Sequence, residues 1–467
     1  EQEGMSVTKY ANNGACVMPG HPIDEEGLGG MILEDQIWKA AEDGLDPDYV
    51  VFDGGTNDAY VPVMEKLGDA EEACRVLYAP YGGSGSGASD GSALCDTFYH
   101  TFAGAFAGTV DTIQKNWPRA KVVYVAAHRL GYRDRAVQEA LHRIEMNICA
   151  HMGVAAADLY DDCALDTADE AMCREYSFDV LRDGLPAPGE EPTGTHPNFE
   201  AIREFYLPLV SEVLRKAEVF RFSGISWDAQ DHEIMLYWEL PEGEQKGDVY
   251  EVWLDGAKAG ETEKPHFGLE GLEEDRVYEV CLRAVRNGEE LQRARFYCRT
   301  KKGKTRIDVT QAPYFAKGDG ETVNTEALQR AIDDCAPDQA VYFPEGVYMT
   351  GSLNLHSDME LYLDKGAVLK GTAEPDDYLP RRWSRFEGTE MECLSGLLNL
   401  GEVDHTAGPT SRNVVIRGGG TIEGGGRLLA ERVIEAERER LKDYLAELGS
   451  RIEEYENADT IPGRVRP

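Results

Sequence analysis

Two short stretches carry residue types and spacings that could do chemistry. In the first, Tyr49 to Phe52 is an apolar, β-favouring run after Pro47, and it leads into Gly54-Gly55-Thr56-Asn57-Asp58. The glycines permit a sharp turn, so Asn57 projects from the carboxyl end of a strand, which is where open α/β sheets bind ligands. An asparagine amide there can donate a hydrogen bond to a developing oxyanion. The competing reading is a βα-turn in which Asn57 and Asp58 only cap the next segment. The second stretch is Thr193-Gly194-Thr195-His196-Pro197-Asn198, directly before an amphipathic run with Phe199, Ile202, Phe205, Leu209, Val213 and Leu214. A histidine fixed there by Pro197 can act as a general base towards a serine hydroxyl. Otherwise it is a cap or a surface residue.

The elements that must position these residues alternate between strand and helix over 1–217. Ser6 to Tyr10 reads as a strand ending at Asn12-Asn13-Gly14, and Leu33, Ile37 and Ala41 mark a helix. Pro80 to Ser92 is a glycine- and serine-rich surface loop. Phe98, Phe102, Phe106, Val110 and Ile113 form a core helix stripe that stops at Trp117-Pro118. Val122 to Ala127 and Val154 to Leu159 read as strands, with a helix through Val137, Leu141, Ile144 and Ile148 between them. Repeated βα units imply a parallel sheet covered by helices on both faces, a three-layer α/β domain.

Residues 218–302 change to alternating, aromatic-rich runs, with Asp255-Gly256 as a hairpin turn. They read as an all-β sandwich. Residues 303–467 change again. Asn324-Thr325 caps a helix with Leu328, Ile332 and Cys335, and very short strands broken by glycines follow. That pattern fits the rungs of a parallel β-helix, interrupted by an exposed, charged helical insertion at about 427–458. The whole is multidomain, as 467 residues require.

The chain has 86 acidic against 47 basic residues, a formal charge of −39. That balance argues against nucleic acid or an anionic membrane as partner, and any polyanionic substrate must meet a local basic site. No apolar run reaches membrane-spanning length. The ten cysteines show no CxxC pair, so neither zinc nor a disulfide framework is indicated and no cofactor is expected. Unpatterned thiols lean towards a reducing, cytoplasmic compartment. The chain opens on Glu1 rather than Met, so targeting is not legible. Oligomeric state is not legible either.

Taken in order, Gly14, Gly55-Thr56-Asn57-Asp58 and His196-Pro197-Asn198 resemble the blocks of the SGNH (GDSL-type) hydrolases, across residues 1–217. The resemblance implies that the backbone N–H of Gly14 and the side chain of Asn57 donate to an oxyanion and that His196 is the base. Two departures stand out. The GDSxS block with the nucleophile is missing, which would follow if it lay upstream of Glu1. The family's acid, three residues before the histidine, is replaced by Thr193. Asp183 could fold back to orient His196, or Thr193 or a backbone carbonyl could do so.

Tyr250 to Gly256, Leu269 to Leu272 and Tyr278 to Val285 resemble a fibronectin type III module, read as a spacer in preference to a carbohydrate-binding module. Gly318-Asp319-Gly320, Val341 to Tyr348, Leu361 to Leu369 and Asn413 to Gly426 resemble the start of polygalacturonase-type pectin hydrolases (glycoside hydrolase family 28). That implies a right-handed parallel β-helix, truncated here. These enzymes invert the anomeric carbon with paired carboxylates, but their aspartate motifs do not occur after Thr421. Asp319 and Asp364 read as turn residues. The combined expectation is a fragment of a multidomain hydrolase of pectic polysaccharide, free or acylated. It joins a serine esterase to a glycosidase, and 1–467 alone would turn over little or nothing. The alternatives are a degenerate binding module beside a working glycosidase, or a non-catalytic binding protein.

Overall fold

The structure, a computed structural model, describes residues 6–11, 15–18, 32–59, 61–78, 100–181, 183–189, 193–386, 389–402, 408, 410–440, 442–443 and 446. Gly14, the glycine- and serine-rich loop, Phe98 and most of 441–458 lie outside the described residues. The chain falls into two compact units, one reaching to Gly303 and one running from Lys304.

The first unit is built on a parallel sheet of β1 (Tyr49–Asp53), β2 (Lys121–Ala126) and β3 (Ala155–Asp158), in that order. β2 is the central strand, and its alternation explains the layers. Val122, Tyr124 and Ala126 join one core with helices α1 (Leu33–Glu42), α2 (Ala70–Tyr78), α3 (Phe102–Asn116) and α4 (Arg135–Met152). Val123 points the other way, with Ala155, onto Val213, Leu214 and Ala217 of the last helix. Phe52, Phe106 and Tyr124 close the first face, their ring centroids 5.0–5.9 Å apart. Aromatic groups packed this way add to their burial energy.

Two local expectations need correction. Ser6 to Tyr10 is not a strand. Residues 6–11 carry no regular structure, and Val7 is exposed, because no described strand lies beside them to complete a ladder. Before the last helix, Asn198 accepts a hydrogen bond from the Ala201 N–H at 3.0 Å and caps Phe199–Ala201. After the short helix α5 (Glu170–Tyr176), a π-turn over Ile202–Tyr206 precedes the last helix of this part, α6 (Leu207–Val219). The wider turn shifts the helical phase, so Phe199 and Ile202 are exposed instead of continuing the buried stripe.

The sandwich belongs to the same unit. Strands β4 (Ser226–Ala229), β5 (Glu233–Tyr237) and β8 (His266–Glu270) form one antiparallel sheet. Strands β6 (Val249–Leu254), β7 (Ala257–Thr262), β9 (Val277–Arg286) and β10 (Glu289–Arg299) form the other. Asp255 and Gly256 turn with φ of 47° and 78°, the left-handed pair that a two-residue hairpin favours. The sandwich is no detached spacer. The Asn147 side chain on α4 exchanges two hydrogen bonds with the Tyr297 backbone, at 2.9 and 2.7 Å. Arg295 on β10 pairs with Asp158 and Asp162.

The second unit is a parallel coil. β11 (Thr305–Asp308), β13 (Gln339–Phe343), β16 (Met359–Leu363) and β21 (Val414–Arg417) stack as one sheet. β12 (Asp319–Val323), β14 (Gly346–Thr350), β17 (Ala367–Gly371) and β22 (Thr421–Glu423) form a second, and β15 (Leu353–Asn354) pairs with β20 (Leu398–Asn399). Val341 stands over Leu361 and Leu361 over Ile416, rung on rung. An antiparallel hairpin of β18 (Arg382–Phe386) and β19 (Thr389–Cys393), which the sequence reading does not anticipate, interrupts the rungs. Asn324 makes no side-chain cap to α7 (Thr325–Asp333). Its buried amide instead holds the backbone of Lys317 and Thr322. The charged helix α8 (Gly426–Arg440) is not wholly exposed, since Val433 and Glu437 are buried and Glu437 pairs with Arg381. No described helix is long and apolar enough to cross a membrane. We expect Phe106→Ala to lower the stability of the first unit by roughly 3–5 kcal/mol, read from chemical denaturation.

Candidate functional site

The loop after β1 is fastened from below and from above. Gly55 has φ of 88°, and a Cβ there would come within 2.2 Å of the Glu145 carboxyl on α4, so only glycine fits. Above the loop, the Asn57 amide donates to the Ala15 carbonyl at 3.0 Å. Asp58, fully buried, accepts the Val17 and Met18 N–H groups at 2.8 and 2.9 Å. Burial pushes Asp58 up to about 6, and those two N–H bonds limit the rise. Asn57 and Asp58 therefore lash residues 15–18 over the strand end, and one Asn57 N–H is already spent on that task. The expected oxyanion partner, Gly14, lies outside the described residues.

Beside this loop a small cavity of about 30 Å³ is lined by Gly54, Gly55, Thr56, His128 and Glu145, among others. Glu145 is buried, and burial raises it to about 7, against the opposing pull of His142 and Tyr124. His128, just past β2, bonds the Tyr206 hydroxyl at 2.7 Å, and burial lowers it to about 4. At the end of β3, Asp158 meets His142 at 2.9 Å. Burial opposes ionisation of Asp158, but His142 and Arg295 outweigh it and hold the carboxyl near 2. His142, Asp158 and Asp161 are spaced as a metal could use them. Their oxygens are committed instead to Arg295 and to the Tyr297 hydroxyl, so a guanidinium supplies the positive charge.

His196 stands before the last helix, half-exposed, with its Nδ1 3.6 Å from Asp179 Oδ2. Asp179 is fully buried and takes hydrogen bonds from Thr193 Oγ1 at 2.7 Å and the Thr195 N–H at 3.2 Å. Asp179, not Asp183, is the acid at His196. Asp183 is exposed and accepts the Leu185 N–H in its own turn, at 3.1 Å. The reason is topological. An antiparallel bridge of Ser177 to Pro197 brings Asp179 back beside the histidine, while Asp183 sits at the far tip of the excursion. Thr193 acts as a donor to the acid, not as its substitute. Among the described residues no hydrogen bond joins Asn57 to His196, and no hydroxyl or thiol bonds the His196 ring.

The pair can do one thing chemically. A carboxylate behind Nδ1 holds the imidazole in one orientation and stabilises it when protonated, leaving the other nitrogen to accept a proton. In the second unit, Asp319 accepts the Glu321 and Thr322 N–H groups and stays near 2, and Asp364 accepts the Lys365 N–H. Asp319 opens β12 and Asp364 directly follows β16, and each is bonded to backbone N–H groups of its own segment. Sequence reasoning missed Asp179, Glu145 and His128. No spacing rule marks them, because each reaches the site from an element whose contacts are set in space.

A family model described as rhamnogalacturonase A/epimerase, pectate lyase-like, matches residues 312–374. An exo-poly-alpha-D-galacturonosidase of Dickeya chrysanthemi is 28% identical over 283 residues, 54% of this chain and 44% of that protein. A probable polygalacturonase of Vitis vinifera is 28% identical over 137 residues, 28% of this chain and 27% of that one. A family 28 exopolygalacturonase structure from Yersinia enterocolitica is 26% identical, with a TM-score of 0.38, over 43% of this chain and 41% of that one. The chain is thus similar to polygalacturonase-type glycoside hydrolases, and it spans less than half the length of these curated relatives.

Glu145 yields a pH test. Its proton is held more tightly in the folded chain than in the unfolded one, so its ionisation costs stability as pH rises from about 4.5 to about 7. Glu145→Gln should gain roughly 3 kcal/mol on wild type between pH 4 and pH 8. Denaturation at both pH values would read this as a difference of differences, and a flat difference would contradict it.

Proposed function

We propose that the protein containing this chain is a glycoside hydrolase of the polygalacturonase type, acting on pectic polysaccharide. The observation that carries this reading is the parallel coil from Lys304 on, with the family-model match at 312–374 inside it. The pectin-hydrolase motifs fall on its rungs: Val341 to Phe343 on β13, Leu361 to Leu363 on β16 and Val414 to Ile416 on β21. Both named relatives are polygalacturonases or galacturonosidases, which supports a galacturonate polymer as substrate.

A second reading concerns the first unit. We infer an SGNH-type serine esterase module there, which would strip acyl groups from the polysaccharide that the coil's enzyme then cuts. The His196–Asp179 pair at a helix start favours it, together with the Gly55 to Asp58 loop at a strand end. The β4 to β10 sandwich, of four and three antiparallel strands, suits a fibronectin type III-like module welded to that unit.

The full-length protein should release reducing sugar from polygalacturonate and acetate from acetylated pectin. His196→Ala should cut acetate release by roughly 100-fold or more and leave sugar release unchanged. Acetate release that survives the substitution would defeat the esterase reading. A protein that releases no sugar from polygalacturonate would defeat the glycosidase reading.

A further inference from the structure

His196 is held at two points besides its own backbone, and the second has no role in the scheme above. Phe178 stacks on the imidazole with ring centroids 5.0 Å apart and planes 19° from parallel. Phe178 and Asp179 are consecutive, so one short segment supplies both the carboxylate behind Nδ1 and the wall against the ring face. The segment is itself pinned to the histidine's backbone. The Phe178 N–H and the Ser177 hydroxyl both donate to the His196 carbonyl, each at 3.1 Å. The Ala187 N–H donates to the Asp179 carbonyl at 3.0 Å, which closes the excursion behind the acid.

We propose that Phe178 is a positioning residue for His196, and this rests on the esterase reading of the first unit. A histidine that is 54% exposed in its side chain has water on several sides and room to rotate. The Asp179 contact at 3.6 Å is longer than a good hydrogen bond and so constrains the ring loosely. A flat aromatic face removes that freedom. It leaves the ring free to slide in its plane but not to turn out of it, which keeps Nδ1 directed at Asp179 and the other nitrogen directed away. Phe178 itself is 49% exposed, a poor arrangement for a residue kept only for core packing. Stacking on the ring face also leaves the ring edge open, and it is along that edge, in the plane of the imidazole, that a hydroxyl can reach the other nitrogen's lone pair.

The test compares Phe178→Ala, Phe178→Leu and Phe178→Tyr in the full-length protein, on acetylated pectin and by NMR of the His196 ring. Phe178→Ala should lower kcat about tenfold with KM little changed, and Phe178→Tyr should restore it. Phe178→Leu keeps an apolar contact without a ring, and should fall with alanine. The His196 Nδ1–H resonance should be sharp in wild type and in Phe178→Tyr and broadened in the other two. A Phe178→Ala protein with unchanged kcat and an unchanged resonance would overturn the proposal. So would an effect on KM alone, which would make Phe178 a substrate wall. If His196→Ala keeps its acetate release, the esterase reading fails by itself. The ring resonance still decides whether Phe178 holds the imidazole.

Discussion

A carboxylate cannot be buried without something to answer its charge, and among the described residues four such groups lie in the α/β part of the first unit. Asp58, Glu145, Asp158 and Asp179 are all nearly or wholly inaccessible. Each is answered differently. Asp58 takes two backbone N–H groups, Glu145 is held near neutrality by burial, and Asp158 takes a guanidinium and an imidazole. Asp179 takes a hydroxyl and an N–H, and faces a half-exposed histidine. These four solutions account for how the loops around the strand ends are held.

They also separate support from chemistry. Asp58 and Glu145 spend themselves on the Gly54 to Asp58 loop, one pulling residues 15–18 down and the other filling the space that Gly55 vacates. Asp158 spends itself on Arg295 and so welds the sandwich to the sheet. Only Asp179 is turned towards a group that water can reach. A carboxylate fixed behind an accessible imidazole is an arrangement that suits general-base chemistry, because the fixed negative charge stabilises the ring when it takes a proton.

The second unit works under a different constraint. Its strands are too short to be stable alone, so each rung depends on the one beneath it. Leu328 and Ile332 of α7 share the core that Val341, Phe343, Leu361 and Leu369 build. Polar residues such as Asp319 and Asn324 hold local backbone groups. The coil is therefore legible as repeated apolar rungs, and the family-model match at 312–374 lies within it.

The sequence by itself determined what depends on neighbours along the chain. Val122 to Ala127 is a continuous apolar run, which marked it as a strand. Asp255-Gly256 dictated its turn, and Pro197 with Asn198 set where the last helix begins. The tertiary structure alone decided what depends on neighbours in space. It replaced Asp183 by Asp179, because the Ser177 to Pro197 bridge, not the spacing along the chain, sets which acid returns to His196. It withdrew Ser6 to Tyr10 from the sheet, because a strand needs a partner its own residues do not specify. It also made the sandwich part of one body with the α/β layer, since the Arg295 to Asp158 pairing joins residues that lie 137 positions apart in sequence. Burial and the partners met there together set the charge of a carboxyl, and both are properties of packing that no local pattern of residues encodes.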